Sequence, residues 1–169
     1  MCQALEGRGA VVGHVKLRKI AIAPCTGCFG CWTRTPGECV IGDDAQKIVR
    51  SYVDSAVVVY ATPVTFGGYS SLLKTVIDRI MLPVLDPRFT VVGGEVHHRL
   101  RYRRYPRTIG LGTLPSPDPE VERLFAELIA RNGINVRQTA EAEVLAGVAD
   151  PEAARAFAER LLDRAGVAP

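Results

Sequence analysis

The sequence lacks any apolar run near the roughly 20 residues that crossing a bilayer requires, and its first residues lack the charged, apolar, then small-residue order of a secretory signal. Both absences predict a soluble, cytoplasmic protein without a membrane partner. Net charge is also scarce: +3 over 169 residues, with a pI near 8.7, is too weak a balance to predict a nucleic-acid partner. Aromatics make up 7% of the chain with a single Trp, and no internal repeat or low-complexity stretch interrupts it. What is present, 47% apolar and 23% charged residues, suits one compact domain spanning residues 1–169 and leaves little room for a second.

Acidic residues are missing from one segment in particular. From His97 to Arg107 the chain reads HHRLRYRRYPR, with Arg99, Arg101, Arg103, Arg104 and Arg107 crowded together. Such a patch predicts contact with something anionic, such as the phosphates of a nicotinamide donor or an acidic partner, or else a dimer-contact arm. His97 and His98 have no evident third ligand, and a solvated loop is the reading they favour.

Apolar periodicity places the elements. Met1 to Gly9 reads as the tail of a helix. Val11 to Leu17 alternates apolar and polar, predicting a strand, and Ile20 to Ala23 leads into the cysteines. Asp43 or Asp44 caps a helix whose Ile48, Val49, Tyr52 and Val53 share a face. Ser55 to Ala61 (SAVVVYA) reads as a strand buried on both faces of a parallel sheet. A loop over Thr62–Gly68 and a helix from Ser70 or Ser71 to about Met81 follow. Thr108 to Leu114 predicts another buried strand, and Pro115 to Pro119 a loop. A helix over Glu120–Arg131 is expected to end at Asn132-Gly133, with a short strand over Asn135–Thr139 and a final helix from Asp150-Pro151 to about Arg164. Strands alternating with helices predict a doubly wound parallel α/β sheet with helices on both faces, whose ligands bind at the carboxyl ends of the strands.

Four of the five cysteines crowd into CTGCFGCWTRTPGEC: Cys25, Cys28, Cys31 and Cys39, at spacings of two, two and seven. Three thiolates at three-residue steps, with a fourth returned by the Pro36-Gly37 turn, can surround a compact cluster, and Gly27 and Gly30 let the backbone curl around it. A 4Fe-4S cluster is the sharpest reading. Structural zinc and a metal-free redox thiol group stand beside it. Cys2 lies apart and reads as a small buried side chain. Trp32 reads either as a shield for a cluster or flavin or as plain core.

The run PCTGCFGCWTRTPGECVIGDDAQKIV, followed by SAVVVYATPVTFGGYSSLLKTVIDRI, resembles the iron-sulfur flavoprotein and NAD(P)H-dependent FMN reductase branch of the flavodoxin-like superfamily. The resemblance covers roughly residues 1 to 165 and is strongest from Pro24 to Ile80. It implies a flavodoxin-like fold. Thr62, Pro63, Val64, Thr65, Phe66, Gly67 and Gly68 would pack against the FMN ring, with Ser70, Ser71 and Lys74 at the helix start that follows. Lys74 and Asp78-Arg79 are read as structural or interfacial. Gly110, Leu111, Gly112 and Thr113 would form a third loop bordering the flavin. The four cysteines would hold a 4Fe-4S cluster near the flavin of a neighbouring subunit, in a homodimer or tetramer.

One departure bears on function. Family members open with a strand and a Ser/Thr/Gly-rich loop that wraps the FMN phosphate at a helix N-terminus, and no such segment is found here. In the flavodoxin order 2-1-3-4-5 that strand is the sheet's centre, so the domain is expected to be incomplete at its N-terminal side and to bind FMN weakly. The leading expectation is an FMN-dependent oxidoreductase or electron-transfer flavoprotein taking electrons from NAD(P)H or a ferredoxin-like donor, with the flavin doing the chemistry and no side chain as acid or base. The alternative is a non-catalytic metal-binding electron carrier, or an inactive remnant that binds no FMN.

Overall fold

The structure, a computed structural model, describes residues 1–147 and 150–168. In chain order its elements are α1 (Cys2–Gly7), a single 3-10 turn (Leu17–Lys19), α2 (Gly30–Thr33), α3 (Ala45–Asp54), β1 (Val57–Pro63), α4 (Ser71–Val84), β2 (Leu85–Val92), β3 (Glu95–Leu100), β4 (Arg107–Leu114), α5 (Pro119–Val136), β5 (Ala140–Ala146) and α6 (Pro151–Arg164). β1, β4 and β5 form a parallel sheet in that order, and β2 and β3 form a separate antiparallel hairpin.

Alternation along the strands divides the core. Val57, Val59, Ile109, Leu111 and Leu145 meet α1 and α6 on one face, around the fully buried Leu161 and Leu162. Val58, Tyr60, Ala142 and Val144 meet α4 and α5 on the other, around Phe125 and Ile129. The fully buried Ile109, Phe125, Ile129, Leu161 and Leu162 each contribute about 1.5–3 kcal/mol by leaving water. A third cluster joins α3 to α4 through Val49, Tyr52, Val76 and Ile80. The result is an α/β layered sheet with helices on both faces, as expected. Three helices start on side-chain caps: Ser70, Asp118 and Asp150 accept from the amides of Leu73, Val121 and Ala153.

Several local expectations are corrected. Residues 11–17 form no strand: Val11 is fully exposed and the segment is irregular apart from the 3-10 turn. Alternation alone does not make a strand, which also needs a neighbour for its ladder. β1 is not buried throughout. Tyr60 and Thr62 are buried while Ala61 and Pro63 are exposed, because among the described residues β1 pairs only with β4 and its other edge has no strand.

α5 passes through Asn132-Gly133 and ends at Val136, with Arg137 in the left-handed region. Gly133 serves closeness rather than termination, since a Cβ there would stand 2.7 Å from that of Ala140. The fifth strand accordingly starts at Ala140, not Asn135. α4 also runs past Met81 to Val84.

The histidines do not lie in a solvated loop. They sit on β3 of a hairpin whose Gly93-Gly94 turn has both φ angles positive, the conformation that suits a two-residue connection. His97 is buried between Asn135 and Glu95, and the His98 ring lies between those of Trp32 and Phe89.

Candidate functional site

The carboxyl ends of β1 and β4 lie side by side, with Thr62 opposite Gly112 and Pro63 opposite Thr113. The Val64 amide donates to the Thr113 carbonyl at 3.0 Å, extending the contact into the loop. Thr62 is buried, and its hydroxyl accepts from the Ser70 amide at 3.1 Å and donates to the Pro63 carbonyl at 2.9 Å. One side chain thereby ties the loop's exit to its entry. Thr65 and Gly68 exchange backbone bonds of 3.0 and 2.9 Å across a two-residue tip.

At that tip Phe66 has φ 50° and Gly67 φ 74°. A bulky residue in the left-handed region costs conformational energy, and here its ring is wholly exposed. Gly67 also presses close to α5, since a Cβ added there would meet Leu124 at 3.3 Å.

Gly110, Leu111, Gly112 and Thr113 are strand, not loop. A Cβ at Gly110 would stand 2.6 Å from Ile129 Cγ1, and one at Gly112 2.7 Å from Val64 Cγ2, so these glycines let α5 and the β1 loop close onto the sheet. Leu111 faces the opposite core. Of the four, Thr113 is the exposed one, at the edge beside Pro63.

Cys25, Cys28, Cys31 and Cys39 line one pocket, walled by Phe29, Ile41, Leu82 and Pro83, with Asp78 and Arg79 of α4 on its side. Left-handed backbone at Gly27 and Phe29 curls the chain between the thiols. Gly30 passes so near Val40 that a Cβ would meet its Cγ1 at 2.6 Å. Cys31 is buried, Cys25 and Cys39 are half-buried and Cys28 is exposed; Cys2 lies apart, half-buried on α1. Among the described residues no group of three His, Cys, Asp or Glu is placed to hold a single metal ion. The thiols therefore share a pocket without converging on one point.

Their ionisation differs with environment. The Gly30 amide and the Thr26 hydroxyl hold the Cys28 thiol below its ordinary value. Burial pushes Cys31 up, reinforced by repulsion from Cys39 and the other thiols. Cys28 is thus the readier thiolate and Cys31 the more reluctant one, and thiolates are the form that binds metals and reacts.

The frame around the pocket is polar and specific. Arg79, 1% exposed, grips Asp43 through Nη1 at 2.8 Å and Nη2 at 2.9 Å. It also donates to the carbonyls of Ala23 at 2.6 Å and Ile41 at 3.4 Å. Asp43 in turn accepts from the amides of Ala23 and Ala45, both at 3.0 Å. One ion pair therefore pins the segment entering the cysteines to the segment leaving them. Sequence reasoning gave Asp43 only a capping role and Arg79 a structural or interfacial one. The available signal was a charge at position 79, inside the apolar stripe of Val76, Ile80 and Pro83.

The last carbonyls of a helix have no partner within it. Those at the end of α4 are met by the neighbouring segments: Trp32 Nε1 donates to Leu82 and Leu85, Arg101 to Pro83 and Leu85, and the Tyr105 hydroxyl to Val84. Arg107 donates to Ala165 and Gly166 near the end of α6. Two arginines of the basic segment thus hold helix ends, and Trp32 ties the cysteine segment to α4 while its ring stacks on Phe29. Among the described residues no helix is long and apolar enough to cross a membrane.

Part of the chain is similar in sequence to known proteins. An iron-sulfur flavoprotein of Archaeoglobus fulgidus is 39% identical over 79 residues, covering 47% of this chain and 34% of that protein. Iron-sulfur flavoprotein MJ1083 of Methanocaldococcus jannaschii is 32% identical over 76 residues, 45% of this chain and 38% of its own length. An iron-sulfur flavoprotein of Methanosarcina thermophila is 33% identical over 80 residues, 47% and 41% respectively. The match thus spans well under half the length of these relatives. Residues 1–102, which carry the cysteine pocket, the β1 loop and the whole of α4, match the family described as NADPH-dependent FMN reductase, and the chain belongs to that family.

Proposed function

We propose that this chain serves an FMN-dependent oxidoreductase or electron-transfer flavoprotein, fed by NAD(P)H or a ferredoxin-like donor, in which Cys25, Cys28, Cys31 and Cys39 hold a 4Fe-4S cluster. The observation that carries the cluster is the single pocket lined by all four thiols and flanked by a buried guanidinium whose Nε has no hydrogen-bond partner. Thiolate sulfur, an apolar wall and an unused N–H donor suit an iron-sulfur group. The relatives' names, iron-sulfur flavoprotein, support the same assignment.

Bound FMN would supply the one- and two-electron chemistry. The chain's part is to bind and orient it: the turn over Thr62, Pro63, Val64, Thr65, Phe66, Gly67 and Gly68 offers close backbone approach, and Thr113 borders it at the adjacent strand end. Thr62 holds that turn's shape from below. We further propose a homo-oligomer, dimer or tetramer. The exposed Phe89, Val91 and Val96 of the β2–β3 hairpin supply apolar surface for such a contact.

The test is anaerobic reconstitution of the chain with iron, sulfide and FMN, followed by quantification of all three and a visible spectrum of the same sample. About four irons per chain together with FMN supports the proposal. Iron without FMN would favour the non-catalytic electron carrier, and zinc displacing iron at the thiols would overturn the cluster.

A further inference from the structure

Resting on the cluster reading, we infer that Arg79 is the counter-charge of the four-thiolate site, its Nε–H donating to sulfur there and so raising the cluster's reduction potential. Arg79 has five N–H donors in a fixed fork. Nη1 and Nη2 are engaged by Asp43, Ala23 and Ile41, and Nε is the one buried side-chain polar atom left without a partner among the described residues. Orphaned buried donors are rare in native proteins, and each calls for an explanation. The orphan belongs to a residue that lines the same pocket as Cys25, Cys28, Cys31 and Cys39.

Charge points the same way. Four thiolates in one pocket repel one another. Among the described lining residues Arg79 is the sole cation, and the lining carboxylate Asp78 is already paired with Lys74. Asp43 sits on the Nη side of the guanidinium and is shared with two backbone amides. The plain alternative is that Arg79 only clamps the ends of the cysteine segment. That role ends at Asp43, Ala23 and Ile41 and gives Nε nothing to do. Hydrogen bonds to cluster sulfurs, and positive charge beside them, favour the more negative reduced state and raise the potential.

The experiment compares the wild-type chain with Arg79→Lys, which keeps a cation for Asp43 but removes the Nε–H, and with Arg79→Gln/Asp43→Asn, which replaces the ion pair by neutral groups. Each is reconstituted anaerobically, iron and sulfide are counted, and the midpoint potential is read by spectroelectrochemical titration. Circular dichroism and hydrogen exchange of the Ala21–Ile41 amides report whether the clamp survives. The expected result is a cluster in Arg79→Lys whose reduction is at least tenfold less favoured, about 59 mV lower for one electron, while the clamp persists. Failure of the folded, clamped Lys variant to retain iron would also support the inference. Arg79→Lys matching wild type in iron content and potential would overturn it, as would an unshifted potential in the neutral pair. No iron uptake by the wild-type chain would instead overturn the cluster reading itself.

Discussion

The sheet half of the molecule and the cysteine-bearing strap are held by different physics. β4, β5, α5 and α6 enclose Ile109, Phe125, Ile129, Leu161 and Leu162 at zero exposure, and backbone ladders run the length of the strands. The strap from Arg8 to Asp44 has one 3-10 turn and the four residues of α2, and most of its side chains reach solvent. Its position is set by a few polar bonds: two charge-assisted ones, Arg79 to Asp43 and the Ala21 amide to Asp44, and a neutral one from Trp32 Nε1 to the Leu82 carbonyl at the end of α4. Apolar packing is tolerant of detail and collective. A polar clamp is specific, and losing one partner leaves the other buried and unsatisfied.

The contrast can be broken or sharpened by measurement. The largest expected effect is that of Phe125→Ala, about 3–5 kcal/mol from lost burial and the cavity left behind; urea unfolding should show the sheet and helices losing stability together. A loss confined to the strap would contradict the division. Asp43→Ala should cost about 3 kcal/mol, because it strands the Arg79 charge. Its effect should be local, with hydrogen exchange quickened over Ala21–Ile41 while β4 amides keep their protection.

Acid should act on the same clamp more gently. Burial opposes the Asp43 charge, but Arg79 and the amides of Ala23 and Ala45 outweigh it and hold the carboxyl below its ordinary 3.8. A carboxylate lowered on folding stabilises the protein above its unfolded value, and that contribution is lost as pH falls through the folded one. Protection of the strap should therefore fade as pH falls below about 3.8, and Asp43→Asn should reduce that dependence, leaving the part carried by Asp44 on the Ala21 amide. The smallest effect expected is that of Ser70→Ala, about 1 kcal/mol from loss of the α4 cap. It should appear in the thermal midpoint and leave strap exchange rates unchanged.

Legibility in the sequence followed the same division. The runs VVVYA and TIGLGTL and the capped starts of α4 and α6 were readable, because β-branched continuity, Ser and Asp caps and Pro at a first turn are local properties. Residues 11–17 carry a strand's alternation but no partner edge, and pairing is not a local property. The β2–β3 hairpin is faint in the sequence because the basic run from His97 overlaps its second strand and its local mark is the Gly93-Gly94 turn. The cysteine spacing announced a shared site; the buried cation beside it was hidden in plain sight within an apolar stripe.

By itself, then, the sequence determined the α/β class, the cysteine group, the turn over Thr62–Gly68 and the resemblance that names the family, since each rests on spacing along the chain. Only the tertiary structure decided that Gly110, Gly112 and Gly133 are sites of close approach, that Arg101 and Arg107 hold helix ends, and that Arg79 lines the cysteine pocket with its Nε unpartnered. Those outcomes depend on which distant groups meet. Which groups meet is fixed by how the helices and loops close over the sheet rather than by the order of residues within any one of them.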